Sequence, residues 1–373
     1  MRFHYSGISL TLICALATLC TTQVLAAHNV GFRTLGQWTE STDRQLTVNV
    51  WYPSTSATCK LNYAPWTIPA AQEGNPAQGR FPLLLLSHAS TATRFSYHDT
   101  AAFLASSGFV VAAPNHDADN LNNMDDLFTD RQLESRVATL SSTITLLLEN
   151  ADTAPSIDAN RIGVFGFGSG AAAVLLLGGA LPDCGSWKTY CAKAGEQDIH
   201  CTGWVKSRLS ALCMGLPLTK SLADNRVGAI AAVAPGFGML FGPDSFRYFY
   251  PPLLLIAAGN DHVNTPAMHA EAIYRLMGKN PSWIVLDKAD PGALTAPCPE
   301  PLNTDLPELC RSVTDRERHA IHQDLRTALN NFFLQYLGRA DNPPVIPPPP
   351  KPDAATPAVP APQQQRKQLS SER

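Results

Sequence analysis

Gly166-Phe167-Gly168-Ser169-Gly170 follows the strand-like run Arg161-Ile162-Gly163-Val164-Phe165 and opens the small-residue segment Ala171-Ala172-Ala173-Val174-Leu175-Leu176-Leu177. A G-x-S-x-G sequence in that setting makes a sharp strand-to-helix turn that lifts a nucleophilic serine above a sheet. Here the central position is Gly168. The surroundings of a nucleophile elbow are present and its attacking hydroxyl is not. An elbow nucleophile holds a strained backbone, at a cost of about 1–3 kcal/mol. Glycine reaches positive φ without a Cβ clash, so Gly168 keeps the turn, relaxes it and removes the nucleophile. Ser169, one position later, reads either as a displaced nucleophile or as a helix-capping serine. The cap is favoured, because a triad is recognised by geometry rather than by nearness in sequence. In either role its backbone N–H at the helix start suits a carbonyl oxygen or an anion.

Outward from the elbow the chain alternates strand and helix. Leu46–Tyr52 alternates as a half-exposed strand, and Phe81–Ser87 and Phe109–Ala113 are continuous apolar runs of the buried parallel type. Ala101–Ser107 reads as a short helix ending at Gly108, and Arg131–Asn150 carries a helical apolar period. Val227–Val233, Pro252–Ala258 and Trp283–Leu286 read as further strands, Met268–Met277 and His319–Leu337 as helices. This alternation predicts an α/β fold: a mostly parallel central sheet covered by helices on both faces. Residues 182–226 interrupt it and hold four cysteines, which marks an inserted cap.

The ends differ from this domain, which runs over 27–340. Residues 1–26 have the short basic start, apolar stretch and small-residue cleavage region of a Sec-type signal peptide. Secretion, or delivery to a periplasm, is the expectation. The apolar stretch is too short to span a membrane well, and no other segment looks transmembrane. Residues 341–373 are rich in proline, a composition that buries no core and favours extended chain. They read as a disordered tail or as a docking segment for a protein partner. Net charge is −3, which leaves no nucleic-acid footprint. Of nine cysteines, seven follow the signal segment. In an oxidising compartment these favour disulfides. Cys298 and Cys310, flanking one short Pro-rich loop, are the best pair. Those between Cys184 and Cys213 allow two further bridges, and Cys59 is the candidate left over.

Val30–Leu35, Val50-Trp51-Tyr52-Pro53, Phe81–His88, Gly108–Pro114, Arg161–Val164, Ala234–Gly238, Leu253–Ile256 and Ala296-Pro297-Cys298 resemble bacterial dienelactone hydrolases. Those are α/β-hydrolases related to platelet-activating-factor acetylhydrolase. The resemblance covers roughly 28–338 and implies an eight-stranded, mostly parallel sheet and ester or lactone hydrolysis by Ser, Asp and His, with no cofactor. Carried onto this sequence, the nucleophile position falls on Gly168 and the acid on Asp261, which is retained. The histidine position falls on Pro291, and no histidine occurs between His269 and His319. The oxyanion segment is Ser87-His88-Ala89 in place of Ser-His-Gly, so His88, Ala89 and Phe167 are the expected oxyanion and pocket residues.

Without serine no acyl-enzyme forms, and without histidine nothing takes the proton from a hydroxyl at neutral pH. The expectation is a secreted pseudo-hydrolase that binds a small ester, a lipid-like ligand or a partner in the old pocket and cap. The alternative is an active esterase with a rearranged site using Ser169, for instance with His116 and Asp261. A third reading is a structural or envelope-associated protein acting through its tail. The run His116, Asp117, Asp119, Asp125 and Asp126 lacks a recognised ligand spacing, so no metal is expected.

Overall fold

The computed structural model describes residues 27–39, 44–203, 205, 207–208, 221–277 and 281–338. Residues 1–26, expected to be a signal peptide, the Pro-rich residues from 341 and Cys213 lie outside them. The strands are β1 (Asn29–Thr39), β2 (Arg44–Ser54), β3 (Cys59–Tyr63), β4 (Trp66–Gln72), β5 (Phe81–Ser87), β6 (Val110–Pro114), β7 (Ile157–Phe167), β8 (Val227–Val233), β9 (Leu253–Ala258) and β10 (Ser282–Leu286). They form a ten-stranded sheet in the order β10-β9-β8-β7-β5-β6-β2-β1-β4-β3. β5 to β10 pair parallel to one another, β2 lies antiparallel to β6, and β1 antiparallel to β2.

The sheet is therefore larger than the eight strands expected. The surplus includes the β3–β4 hairpin, whose β4 runs parallel to β1 at the sheet edge. β3 is Cys-Lys-Leu-Asn-Tyr and buries only Leu61. So little apolar periodicity gives no strand signal on its own; the pairing partner makes the strand.

The covering helices include α1 (His98–Ser106), α2 (Gln132–Glu149), α3 (Ser169–Leu177) and the C-terminal helix Asp315–Leu337. Side chains alternate across each strand. Leu83 and Leu85 join the core on the α2–α3 face, while Leu84 and Leu86 join the core on the α1 and C-terminal-helix face. Every residue of α3 is buried, which its small and apolar sequence permits. The C-terminal helix begins four residues before its apolar period does, because Thr314 and Glu317 form a capping box.

The cap holds α4 (Cys184–Ala194), followed by 3-10 turns to Cys201. Asp183 caps α4 by accepting from the Gly185 and Ser186 N–H groups. A Cys191–Cys201 disulfide closes this segment, Cys298–Cys310 closes the Pro-rich loop, and Cys184 is disulfide-bonded as well. Cys59 is free and exposed. No described helix is long and apolar enough to cross a membrane.

Candidate active site

β7 ends at Phe167, and the chain turns into α3 through Gly168 at φ 56°, ψ −118°. That conformation is sparsely populated by residues with a Cβ. The Gly168 carbonyl takes the Ala171 and Ala172 N–H groups of α3 and, at 3.0 Å, the N–H of Gly236 from the loop after β8. The flanking glycines serve packing: a Cβ on Gly166 would lie 2.4 Å from the Gly170 carbonyl oxygen, and one on Gly170 2.2 Å from that of Ser87. A Cβ on Gly168 would meet only Ala89 Cβ, at 3.3 Å. The elbow thus has its backbone shape, and nearly the room, for a side chain that the sequence does not supply.

Ser169 is the first residue of α3 and is buried. Its Oγ accepts the Ser90 N–H at 2.8 Å and shares a second 2.8 Å hydrogen bond with Ser90 Oγ. Ser90 Oγ also bonds Asp119 Oδ2 and accepts from Gln132 Nε2. Behind them, fully buried Arg136 donates from Nε to Asp119 Oδ2 at 2.6 Å and from Nη1 to the His88 carbonyl at 2.5 Å. The Ser169 hydroxyl is held in this network with no histidine bonded to it. His116, which a rearranged triad would need, bonds Ser87 Oγ through Nε2 at 2.8 Å instead.

Asp261 follows β9 on the loop that faces the same end of the sheet. Its Oδ1 accepts the N–H groups of Val263 (2.8 Å) and Asn264 (2.7 Å). Its Oδ2 is buried and has no hydrogen-bond partner among the described residues. Burial raises its pKa above the ordinary carboxylate value, against the lowering effect of those two N–H groups. The segment where a triad histidine would stand runs alongside: Gly259 and Asn260 donate to the carbonyls of Leu286 and Ala289. There Pro291 opens the short helix Pro291–Leu294 under an Asp290 cap. Asp261, the expected triad acid, thus has one oxygen engaged by backbone N–H groups and one without a partner among the described residues.

Two expected pocket residues lie elsewhere. Phe167 shares a sheet face with Phe165 and stacks on Tyr97, ring centroids 3.8 Å apart and nearly coplanar, in the core beneath the elbow. Strand alternation dictates this, since positions 165 and 167 point the same way. His88 is fully buried; its Nδ1–H donates to the Ala89 carbonyl and its Nε2 accepts the His116 N–H. Burial and the nearby Arg136 charge push its pKa down to about 3, so the ring is neutral. His88 therefore shapes the oxyanion segment from behind, and Ala89 is the member that borders Gly168. Two of the four carboxylates of the 116–126 run hold arginines: Asp119 pairs with Arg136, and Asp126 with Arg131.

The structure also assembles a group that no spacing marked. Asp198 and His200 of the cap meet His269 of the loop after β9, the potential ligand atoms lying within 4.8 Å of one another. These residues stand 71 positions apart in sequence and carry no motif, so only the folded chain brings them together.

A model of the family "Platelet-activating factor acetylhydrolase, isoform II" matches residues 54–154. Among solved structures, the ferulic acid esterase from Streptomyces cinnamoneus superposes with a TM-score of 0.55 at 17% identity, covering 87% of this chain and 94% of that one. No curated protein matches the chain.

Proposed function

We propose that this chain, similar over residues 54–154 to the platelet-activating factor acetylhydrolase isoform II family and in fold to an esterase, is a pseudo-hydrolase as regards serine chemistry: it has given up the serine acyl-enzyme route and keeps the acyl cleft. The observation that carries this reading is Gly168, which holds the elbow conformation with no side chain to attack. Asp261 with its bare Oδ2, and proline at position 291, support it.

The elbow keeps groups that would hold an acyl group. The first N–H groups of a helix have no intrahelical partner, so the α3 start presents donors and a positive dipole end to a carbonyl oxygen. Phe237, next to the Gly236 whose N–H bonds the Gly168 carbonyl, and Phe128, 6.4 Å from Phe237 ring to ring, are the candidate apolar lining. A small ester or lipid-like molecule fits this combination. The signal-like segment 1–26 and the Cys191–Cys201 and Cys298–Cys310 bridges favour an exported protein, and the Pro-rich tail is a candidate docking segment.

The test is photo-crosslinking with a diazirine-bearing methyl ester of octanoic acid, followed by peptide mapping. Saturable crosslinks at 88–92, 166–170, Phe128 or Phe237 are expected. Crosslinks scattered over the surface, with none at the elbow, would count against a retained acyl cleft.

A further inference from the structure

The buried histidines divide by what their ring nitrogens hold. His88, His269 and His322 have both nitrogens engaged. His98, His116 and His200 each have one engaged, on the Phe95 carbonyl, the Ser87 hydroxyl and a carboxylate respectively. In His200, Nδ1 lies 2.7 Å from Asp198 Oδ1, and Nε2 makes no hydrogen bond among the described residues. Asp198 is a saturated carboxylate. It accepts the His200 backbone N–H at 2.8 Å, the Nε2–H of His269 at 3.2 Å and the Tyr190 hydroxyl. Burial alone would raise its pKa, but the hydrogen bonds from His200 and His269 hold it well below the usual range. Burial likewise keeps His200 below an ordinary histidine, hence neutral. A neutral imidazole whose Nδ1–H rests on a carboxylate offers its Nε2 lone pair, the arrangement of a general base.

The same three residues could be taken for a metal site, but the protons argue otherwise. The Gly238 N–H points at His269 Nδ1 from 3.0 Å, so Nδ1 is the acceptor and Nε2 carries the hydrogen. An Nε2 that donates to Asp198 has no lone pair for a metal. Metal-bound histidines show the reverse, donating from the nitrogen remote from the ion.

His200 packs against two rings whose neighbours in the chain bond the elbow and the Ser90 segment. Its ring meets Phe237 edge-on at 5.0 Å and Phe128 at 5.9 Å. Phe237 follows Gly236, whose N–H is bonded to the Gly168 carbonyl. The Phe128 N–H is bonded to Gln132 Oε1, and the Gln132 amide donates to Ser90 Oγ, beside Ser169. Both phenylalanines are held at positive φ, 58° and 56°. Bulky residues rarely adopt that conformation, and such strain clusters at functional sites.

We propose that His200, oriented by Asp198, is a general base above the elbow that hydrolyses carboxylic esters by direct attack of water. This rests on the reading that no serine takes the acyl group. Nε2 removes one proton from a water molecule, and the water oxygen forms the bond to the acyl carbon. The carbonyl π pair moves onto its oxygen, facing the N–H groups at the α3 start. When that pair returns, the bond to the alcohol oxygen breaks, and the departing alkoxide takes the proton from His200. The products are the carboxylic acid and the alcohol.

The probe is p-nitrophenyl acetate, given to the oxidised mature domain after treatment with a fluorophosphonate. Multiple turnovers that survive the fluorophosphonate are expected. His200→Ala should lower turnover about a hundredfold or more, and added imidazole should restore a large part of it. His200→Gln should be as slow, with an unchanged melting curve showing that the cap is intact. Absence of turnover in the unmodified protein, or full activity in folded His200→Ala, overturns the proposal. So does failure of imidazole to rescue a folded His200→Ala variant. None of these results touches the loss of serine chemistry, which fails separately if the fluorophosphonate labels the protein.

Discussion

Gly168→Ala reports on the elbow without any knowledge of the ligand. An added Cβ meets one neighbour, Ala89 Cβ at 3.3 Å, a contact that a shift of a few tenths of an ångström relieves. Sterics across the gap therefore contribute little, and the backbone decides the outcome. At φ 56°, ψ −118° an L-residue is strained by about 1–3 kcal/mol. Replacing glycine also stiffens the unfolded chain, which by itself stabilises by about 0.4–1 kcal/mol. Strain wins, and a net loss on the order of 1–2 kcal/mol is expected. Gly203→Ala is the reference: that residue is in helical conformation, has open space around its Cβ position and does not have positive φ. It should be neutral or stabilising. Urea unfolding of the oxidised domain, with both variants showing the parent slope against denaturant, measures the difference. Equal stabilisation by the two substitutions would show that Gly168 is an ordinary loop glycine and not the apex of a strained elbow.

Three other outcomes follow from buried charge and covalent closure. Arg136→Met leaves Asp119 buried without its cation beneath the oxyanion segment and should cost about 3–5 kcal/mol in the same unfolding assay; a loss below 1 kcal/mol would mean the pair is dispensable. Cys298→Ser opens a loop with a sequence separation of 12 and should cost about 3 kcal/mol, whereas Cys59→Ser, at the free and exposed cysteine, should be silent. His88, His116 and His200 all have folded pKa values depressed by burial. Unfolding therefore takes up protons once the pH drops below about 6.5. Their contribution to stability is full above that pH and declines by about 1.4 kcal/mol per pH unit for each histidine still neutral in the fold. Unfolding free energies measured from pH 7 to pH 4 should fall accordingly, and a flat profile would refute the assigned neutral state.

Much of the fold was legible because it is written in short-range pattern. The apolar runs of β5, β6, β8 and β9 are buried on both faces, and such runs are unambiguous once helices alternate with them. The G-x-G-x-G segment likewise located the elbow, since its glycines are required by backbone contacts as close as 2.2 Å. The β3–β4 edge escaped because Cys59–Tyr63 buries one residue and depends on a partner strand. Phe167 was placed at the pocket because it neighbours Gly168 in sequence, yet alternation along β7 turns it into the core against Tyr97. The Asp198–His200–His269 group could not be read at all. Its members come from an irregular cap and from a loop beyond β9, and each alone looks like an ordinary polar residue.

The central claim is that the elbow lacks a nucleophile while keeping its shape. Intact-mass spectrometry of the oxidised protein after exposure to a fluorophosphonate tests it most directly. The unmodified mass is expected, with no adduct on any serine of the elbow or oxyanion segment. A stoichiometric adduct mapped to Ser169, abolished by Ser169→Ala, would contradict it and show that serine chemistry has moved one residue along the turn.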